Sequence, residues 1–168
     1  MKIAINHKMK RGAVSTCRLQ QAFAIIELLV VVTIIGVLAT IAGPIYSDYI
    51  DRARVVQAIQ DIGAISKSIA IYALSNGNQY PDSLKTVGMH TMLDPWGNPY
   101  QYLNLSDPKL KGKGQARKDH SLVPINSDFD LYSMGKDGAS ASPLTAASSR
   151  DDIVRANNGR FIGRAADY

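Results

Sequence analysis

Residues 23–45 read FAIIELLVVVTIIGVLATIAGPI, and Glu27 is their single charged residue. As an α-helix rising about 1.5 Å per residue, the first twenty would cover about 30 Å, the thickness of a bilayer's hydrocarbon core. The run is too long for the apolar core of a secretory signal, and no small-x-small cleavage site follows it. Soluble proteins seldom bury a helix this long and this apolar. The stretch therefore predicts a transmembrane helix. Glu27 stands out within it, because an Asp at mid-bilayer costs ~2.5–3.5 kcal/mol on insertion scales. A carboxylate here either sits at the interface and reaches water, or marks a function and meets a partner.

Charge is distributed unevenly around this helix. The chain carries a formal +5, which alone would suggest a nucleic-acid binder. Residues 1–22 hold Lys2, Lys8, Lys10, Arg11 and Arg18 and no acid, so from Phe23 onward there are fourteen basic and fourteen acidic residues. The excess sits where positive residues hold an N-terminus in the cytoplasm, which places the remainder outside the inner membrane. Met9 is an alternative start, since Lys10 and Arg11 would still supply charge. Cys17 is the only cysteine. It precedes the apolar run, which argues against a lipoprotein, and a chain cut after it could form no internal disulfide.

Ala22-Phe23-Ala24-Ile25-Ile26-Glu27-Leu28-Leu29-Val30-Val31 resembles the class III signal of type IV pilins and type II secretion pseudopilins. The resemblance implies that residues 1–22 are a leader, removed by a prepilin peptidase that cuts between Ala22 and Phe23 and methylates the new amino terminus. Glu27 then becomes the fifth mature residue. The family usually carries Gly before the cut, where this chain has Ala22. Gly36 and Pro44 fall where the family places helix-weakening residues. The physics agrees: the Phe23 amine of one subunit could neutralise Glu27 of its neighbour in a packed helix bundle. Pro44 removes a backbone donor and Gly43 adds freedom, so the helix can kink or melt locally between residues 36 and 44.

Beyond Pro44 the helical pattern resumes. Tyr46, Tyr49, Ile50, Ala53, Val56, Ile59, Ile62, Ile65, Ile69 and Tyr72 recur at three- and four-residue steps, which predicts an amphipathic half over residues 46–76. Ser75-Asn76-Gly77 is a stop signal, followed by Pro81. From Phe23 to Leu74 this makes about fifty helical residues, roughly 75 Å. Residues 77–168 can bury only a small core. Tyr100–Leu105 and Asp128–Met134 alternate as strands, and Ser121–Ile125 reads as a weaker one, demoted by Pro124. The expected fold is α+β: one long helix, with a small antiparallel sheet laid across its amphipathic half.

Two further stretches sharpen the resemblance. Asp94-Pro95-Trp96-Gly97-Asn98-Pro99-Tyr100-Gln101-Tyr102 and Asp130-Leu131-Tyr132-Ser133-Met134-Gly135-Lys136-Asp137-Gly138 are similar to two signatures of the major pseudopilin of type II secretion. Taken alone, the first is a Pro/Gly turn with a Trp packed underneath. Between them, Lys109–Lys118 is a basic, glycine-containing insertion, read as a solvated mobile loop. DNA, an acidic partner or a secreted substrate are the functional alternatives for it. No aromatics interleave its charges, so nucleic acid is poorly supported as a partner.

The resemblance also implies a calcium site in the loop after the second signature. Asp137 and the Met134 carbonyl match ligands of that motif, and Asp151 and Asp152 are the nearest acids to complete an oxygen shell. Calcium would staple a C-terminal region that lacks the disulfide of many type IV pilins. Without it, Asp137-Gly138 is a plain turn and Asp151 a helix cap. No organic cofactor is implied.

A membrane-anchored periplasmic enzyme is the rival class. His90 and His120 form no pair at metal spacing, and neither a nucleophile elbow nor a glycine-rich phosphate loop is present. The expectation is a structural subunit of a helical filament, either the major pseudopilin of a type II secretion system or a type IV pilus subunit. Its partners would be further copies of itself, the prepilin peptidase, an inner-membrane assembly platform and minor pseudopilins.

Overall fold

The structure is a computed structural model. It describes residues 14–108, 110 and 114–168, with side chains from residue 25 onward. Helix α1 runs from Val14 to Ser75, 62 residues in one element. Four short strands follow: β1, Gln101–Asn104; β2, Phe129–Ser133; β3, Ile153–Ala156; and β4, Phe161–Arg164. The chain divides into two compact units, one ending at Tyr49 and one starting at Ile50.

The first unit holds the apolar half of α1. Its most apolar 18-residue window has a mean hydropathy of 2.7, and every described side chain from Ile25 to Tyr49 is exposed. Thr33 and Thr40 return their hydroxyls to the helix. Thr33 Oγ1 donates to the Leu29 and Val30 carbonyls, at 2.9 and 2.7 Å, and Thr40 Oγ1 to the Val37 carbonyl at 2.7 Å. Such back-bonding satisfies a hydroxyl where hydrocarbon offers no partner. α1 continues through Pro44 as a single helix.

In the second unit, one stripe of α1 meets the sheet. Ala58, Ile62, Ile65 and Ile69 pack with Leu84, Tyr100, Phe129, Leu131 and Ile153. Each fully buried isoleucine contributes roughly 1.5–3 kcal/mol. The stripe is narrower than its periodicity predicts. Tyr46, Tyr49, Ala53 and Val56 were expected on the packing face and are exposed. Val55 and Ala58 take up the packing phase beside the expected Ile59, and Ile71 and Leu74 point outward. The helix ends as its stop signal indicates. Gly77 and Asn78 have φ of +63° and +68°, and the Asn78 amide caps the Ala73 carbonyl at 2.8 Å.

The sheet is an antiparallel meander in the order β1-β2-β3-β4. Gln101 pairs with Tyr132, Tyr132 with Val154, and Val154 with Gly163. β3 is buried along its whole length. Ile153 faces the helix, while Val154 and Ala156 join a second cluster with Ile125, Leu144 and Ala165. β1 and β2 fall within one or two residues of their expected bounds. The expected strand Ser121–Ile125 is absent: a tight turn pairs Asp119 with Leu122, and Pro124 cannot donate to a ladder. β3 and β4 were not anticipated.

The assembly helix and the junction of the signature loops

The residues expected to drive assembly lie on α1. The backbones of Ala22 and Phe23 are helical, while their side chains lie outside the described residues. Glu27 is exposed and has no hydrogen-bond or ion-pair partner among the described residues, on a helix whose neighbouring side chains are all apolar up to Val32. Gly36 and Gly43 are open on the side where a Cβ would stand.

A second site forms where the two signatures meet. Asp94 organises the first. Its Oδ1 accepts the backbone amides of Trp96 and Asn98, at 3.0 and 2.8 Å, while its own amide donates to the Asn98 carbonyl at 2.8 Å. The turn requires Gly97, whose φ is +95°. The second carboxylate oxygen of Asp94 accepts the Ser133 hydroxyl at 2.5 Å, and Asn98 Nδ2 donates to the Gly135 carbonyl at 3.1 Å. Two segments far apart in sequence are thereby fastened at two points.

The junction is also tied to α1 and to the strands' connections. The Tyr100 hydroxyl donates to Asp61 Oδ2 at 2.9 Å, and the Tyr102 hydroxyl to the Pro81 carbonyl at 2.8 Å. Burial raises the pKa of both phenols, and for Tyr100 the Asp61 carboxylate raises it further. Lys136 Nζ lies 2.6 Å from Asp51 Oδ2, which lowers the Asp51 pKa chiefly through that bond. Trp96 packs half-buried against the helix-facing core, as a Trp beneath a Pro/Gly turn should.

Of the four residues expected around calcium, the structure brings Asp137 and Asp151 to one turn and engages Asp152 elsewhere. Met134 leads from β2 into the loop. Asp151 Oδ2 accepts the amides of Lys136 and Asp137, at 2.8 and 3.1 Å, and Asp137 Oδ1 accepts the Ala139 amide at 2.8 Å. These bonds describe a turn held by its own carboxylates. Asp152 is fully buried, and its Oδ2 contacts Arg117 Nη2 and the Ser140 hydroxyl, both at 2.5 Å. Burial pushes the Asp152 carboxyl up to about 6, against the opposing pull of Ser140 and Arg117. No group of three or more metal-binding His, Cys, Asp or Glu side chains gathers among the described residues. Asp152 Oδ2 is thus shared between Arg117 and Ser140, while Asp137 and Asp151 hold the turn that follows β2.

Arg117 is the residue that sequence reasoning missed. It is the penultimate residue of the basic insertion, whose pattern predicts a solvated loop, but it is 2% exposed. Lys109, Lys111, Gly112 and Lys113 of that insertion lie outside the described residues. The one available signal was the apolar Ala116 beside it, also buried. Asp128 and Arg155 form a comparable pair at 2.6 Å, with the guanidinium stacked 4.0 Å from the Phe129 ring centroid.

An apolar membrane-length N-terminal helix, whose distal half packs on a four-stranded antiparallel meander, defines a pilin-like subunit. Residues 17–43 match the prokaryotic N-terminal methylation motif. The chain is 36% identical over 141 residues to a type II secretion system core protein G of Pseudomonas aeruginosa, covering 72% of this chain and 87% of the relative. A protein of the same name from Aeromonas hydrophila is 30% identical over 157 residues, covering 81% and 92%. A fimbrial protein of Neisseria meningitidis serogroup B is 37% identical over 153 residues, covering 86% and 89%. No solved structure matches the chain significantly. The chain belongs to the family of type IV pilins and type II secretion pseudopilins.

Proposed function

We propose that this chain is the major pseudopilin of a type II protein secretion system. It enters the inner membrane as a prepilin with its N-terminus cytoplasmic and its sheet domain periplasmic. Prepilin peptidase cuts between Ala22 and Phe23 and methylates Phe23. An assembly platform and minor pseudopilins then draw it into a helical filament of like subunits.

The observation that carries this reading is Glu27, an exposed carboxylate on an otherwise apolar membrane-length surface, without a partner among the described residues. In hydrocarbon such a charge needs a counter-charge. The α-amine of Phe23 in a neighbouring subunit would supply it, and would do so only after cleavage, so processing and assembly become coupled. Pro44 and Gly43 would let the helix adjust as it leaves the bilayer. In this reading the chain is structural and catalyses nothing. The resemblance of residues 94–102 and 130–138 to pseudopilin signatures supports the secretion branch.

The Neisseria fimbrial relative, matched over nearly its whole length, favours a surface pilus as the second reading. Shearing producing cells and labelling the released material with antibody separates the two. Label confined to the envelope, with exported proteins accumulating inside a deletion strain, is the expected result. Long labelled fibres outside the cell would make the chain a pilus subunit instead.

A further inference from the structure

The connection from β2 to β3, residues 134–152, is long, rich in Ser and Ala, and lacks any cysteine that could staple it. Ordering such a segment costs conformational entropy, so something must hold it. The guanidinium of Arg117 lies at its centre. Nη1 donates to the Ser140 hydroxyl at 2.5 Å and to the Ala141 carbonyl at 2.6 Å, and Nη2 to Asp152 Oδ2 at 2.5 Å. A hydroxyl, a carbonyl and a carboxylate are the oxygens a hard cation such as calcium would collect. The Tyr132 ring covers one face, with its centroid 4.2 Å from the guanidinium carbon.

The backbone of Arg117 is fixed as firmly. Its amide donates to Asp130 Oδ2 at 2.7 Å, and its carbonyl accepts the Ile125 amide at 3.0 Å. Asn126 Nδ2 supports the other Asp130 oxygen at 2.9 Å. Neighbouring bonds complete the clamp: the Lys118 amide donates to the Ser142 carbonyl, the Leu144 amide donates to the Lys118 carbonyl, and Ser149 Oγ bridges both polar groups of Ala141. Side chain and backbone of one residue thus join β2, residue 125, residues 140–141 and the start of β3.

We propose that Arg117 is a built-in cation that closes the C-terminal segment of this subunit, so that the segment orders without a bound divalent metal. Asp152, one of the two acids expected to complete a metal shell, is paired instead with a side chain from the same domain. The planar fork engages three oxygens of two kinds of chain segment at once, which a lysine ammonium on its flexible stem would do less well. This inference concerns the folding of the subunit and holds whichever filament it builds.

The test uses the full-length protein in detergent micelles, with either millimolar calcium chloride or excess EGTA. Melting is followed by the fluorescence of the sole tryptophan, Trp96, and opening of the segment by the rate of tryptic cleavage after Arg150. For the wild type, both readouts should be the same with calcium as with chelator. Arg117→Met, which keeps length but not charge, should raise the open population and its cleavage rate by at least ~100-fold, as removal of one partner from a buried ion pair does. Arg117→Lys should recover part of that loss, and Asp152→Asn should lie between it and the wild type. A wild-type midpoint that falls under EGTA and returns with calcium would overturn the proposal. So would an Arg117→Met protein that resists trypsin as the wild type does. If Arg117→Met fails to fold, the wild-type comparison and Asp152→Asn still decide.

Discussion

The Ser133 hydroxyl donates a 2.5 Å hydrogen bond to Asp94 Oδ2, joining residues 39 positions apart. Both side chains are buried, and the other Asp94 oxygen already holds two backbone amides of its own turn. Ser133→Ala leaves a buried carboxylate oxygen unsatisfied, at a cost of about 1–3 kcal/mol. Asp94→Ala strips the same hydroxyl of its acceptor and orphans the Trp96 and Asn98 amides as well. It should cost more than Ser133→Ala in urea unfolding followed by Trp96 fluorescence. The reverse order would mean that Asp94 shapes its turn without fastening the two signatures.

Both ends of that bond lie in stretches that sequence reading singled out, and so do the membrane-length helix, β1 and β2. Their signals are local: an unbroken apolar run, a Pro-Trp-Gly turn, alternating aromatics. β3 and β4 escaped because Ile153–Ala156 is buried on both faces and does not alternate. Their hairpin is announced only by Asn157-Asn158-Gly159, all three at positive φ. The phase of the α1 stripe was misjudged at Val56 for a related reason. Valine and alanine both fit a three-and-four pattern, and the register in which the sheet meets α1 buries Ala58 and leaves Val56 exposed. Arg117 was illegible, since its partners at residues 140, 141 and 152 are set by tertiary structure.

Glu27→Ala separates anchoring from assembly. The substitution removes a charge that opposes insertion, so the protein should still fractionate with the inner membrane, at wild-type amounts or above. Filament yield in sheared or envelope fractions should fall at least ~10-fold, because the counter-charge between neighbouring subunits is worth a kcal/mol or more once desolvated. Unchanged filament yield would place Glu27 at the water interface and remove its role in assembly.

Tyr100 and Tyr102 set the alkaline limit of the sheet domain. Burial raises both phenol pKa values above the usual value near 10. In the folded state they keep their protons at pH values where the unfolded chain has released them. The folded protein then binds more protons, so stability is intact below pH ~10 and falls as pH rises above it. A titration at the phenolate absorbance band should show these two among the late-ionising tyrosines of the eight present, rising together with the loss of Trp96 burial. Tyr100→Phe should move the alkaline transition upward. An early, reversible ionisation of all eight in the folded protein would contradict the packing described for these rings.

Gly77 and Gly135 form a matched pair for measuring the close approach at the signature junction. Their φ values are nearly equal, +63° and +66°. A Cβ on Gly77 would meet nothing within 4 Å, whereas one on Gly135 would lie 2.6 Å from both the Asp151 carbonyl oxygen and its Oδ2. Gly77→Ala should therefore cost only the left-handed backbone penalty of about 1–2 kcal/mol. Gly135→Ala incurs the same penalty and in addition must displace Asp151, both its backbone carbonyl and the Oδ2 that accepts the amides of Lys136 and Asp137. Its cost in urea unfolding should exceed that of Gly77→Ala by about 1–3 kcal/mol, the usual scale of overpacking. Equal costs would show that the turn at residues 135–138 yields freely, and that Asp151 does not hold it.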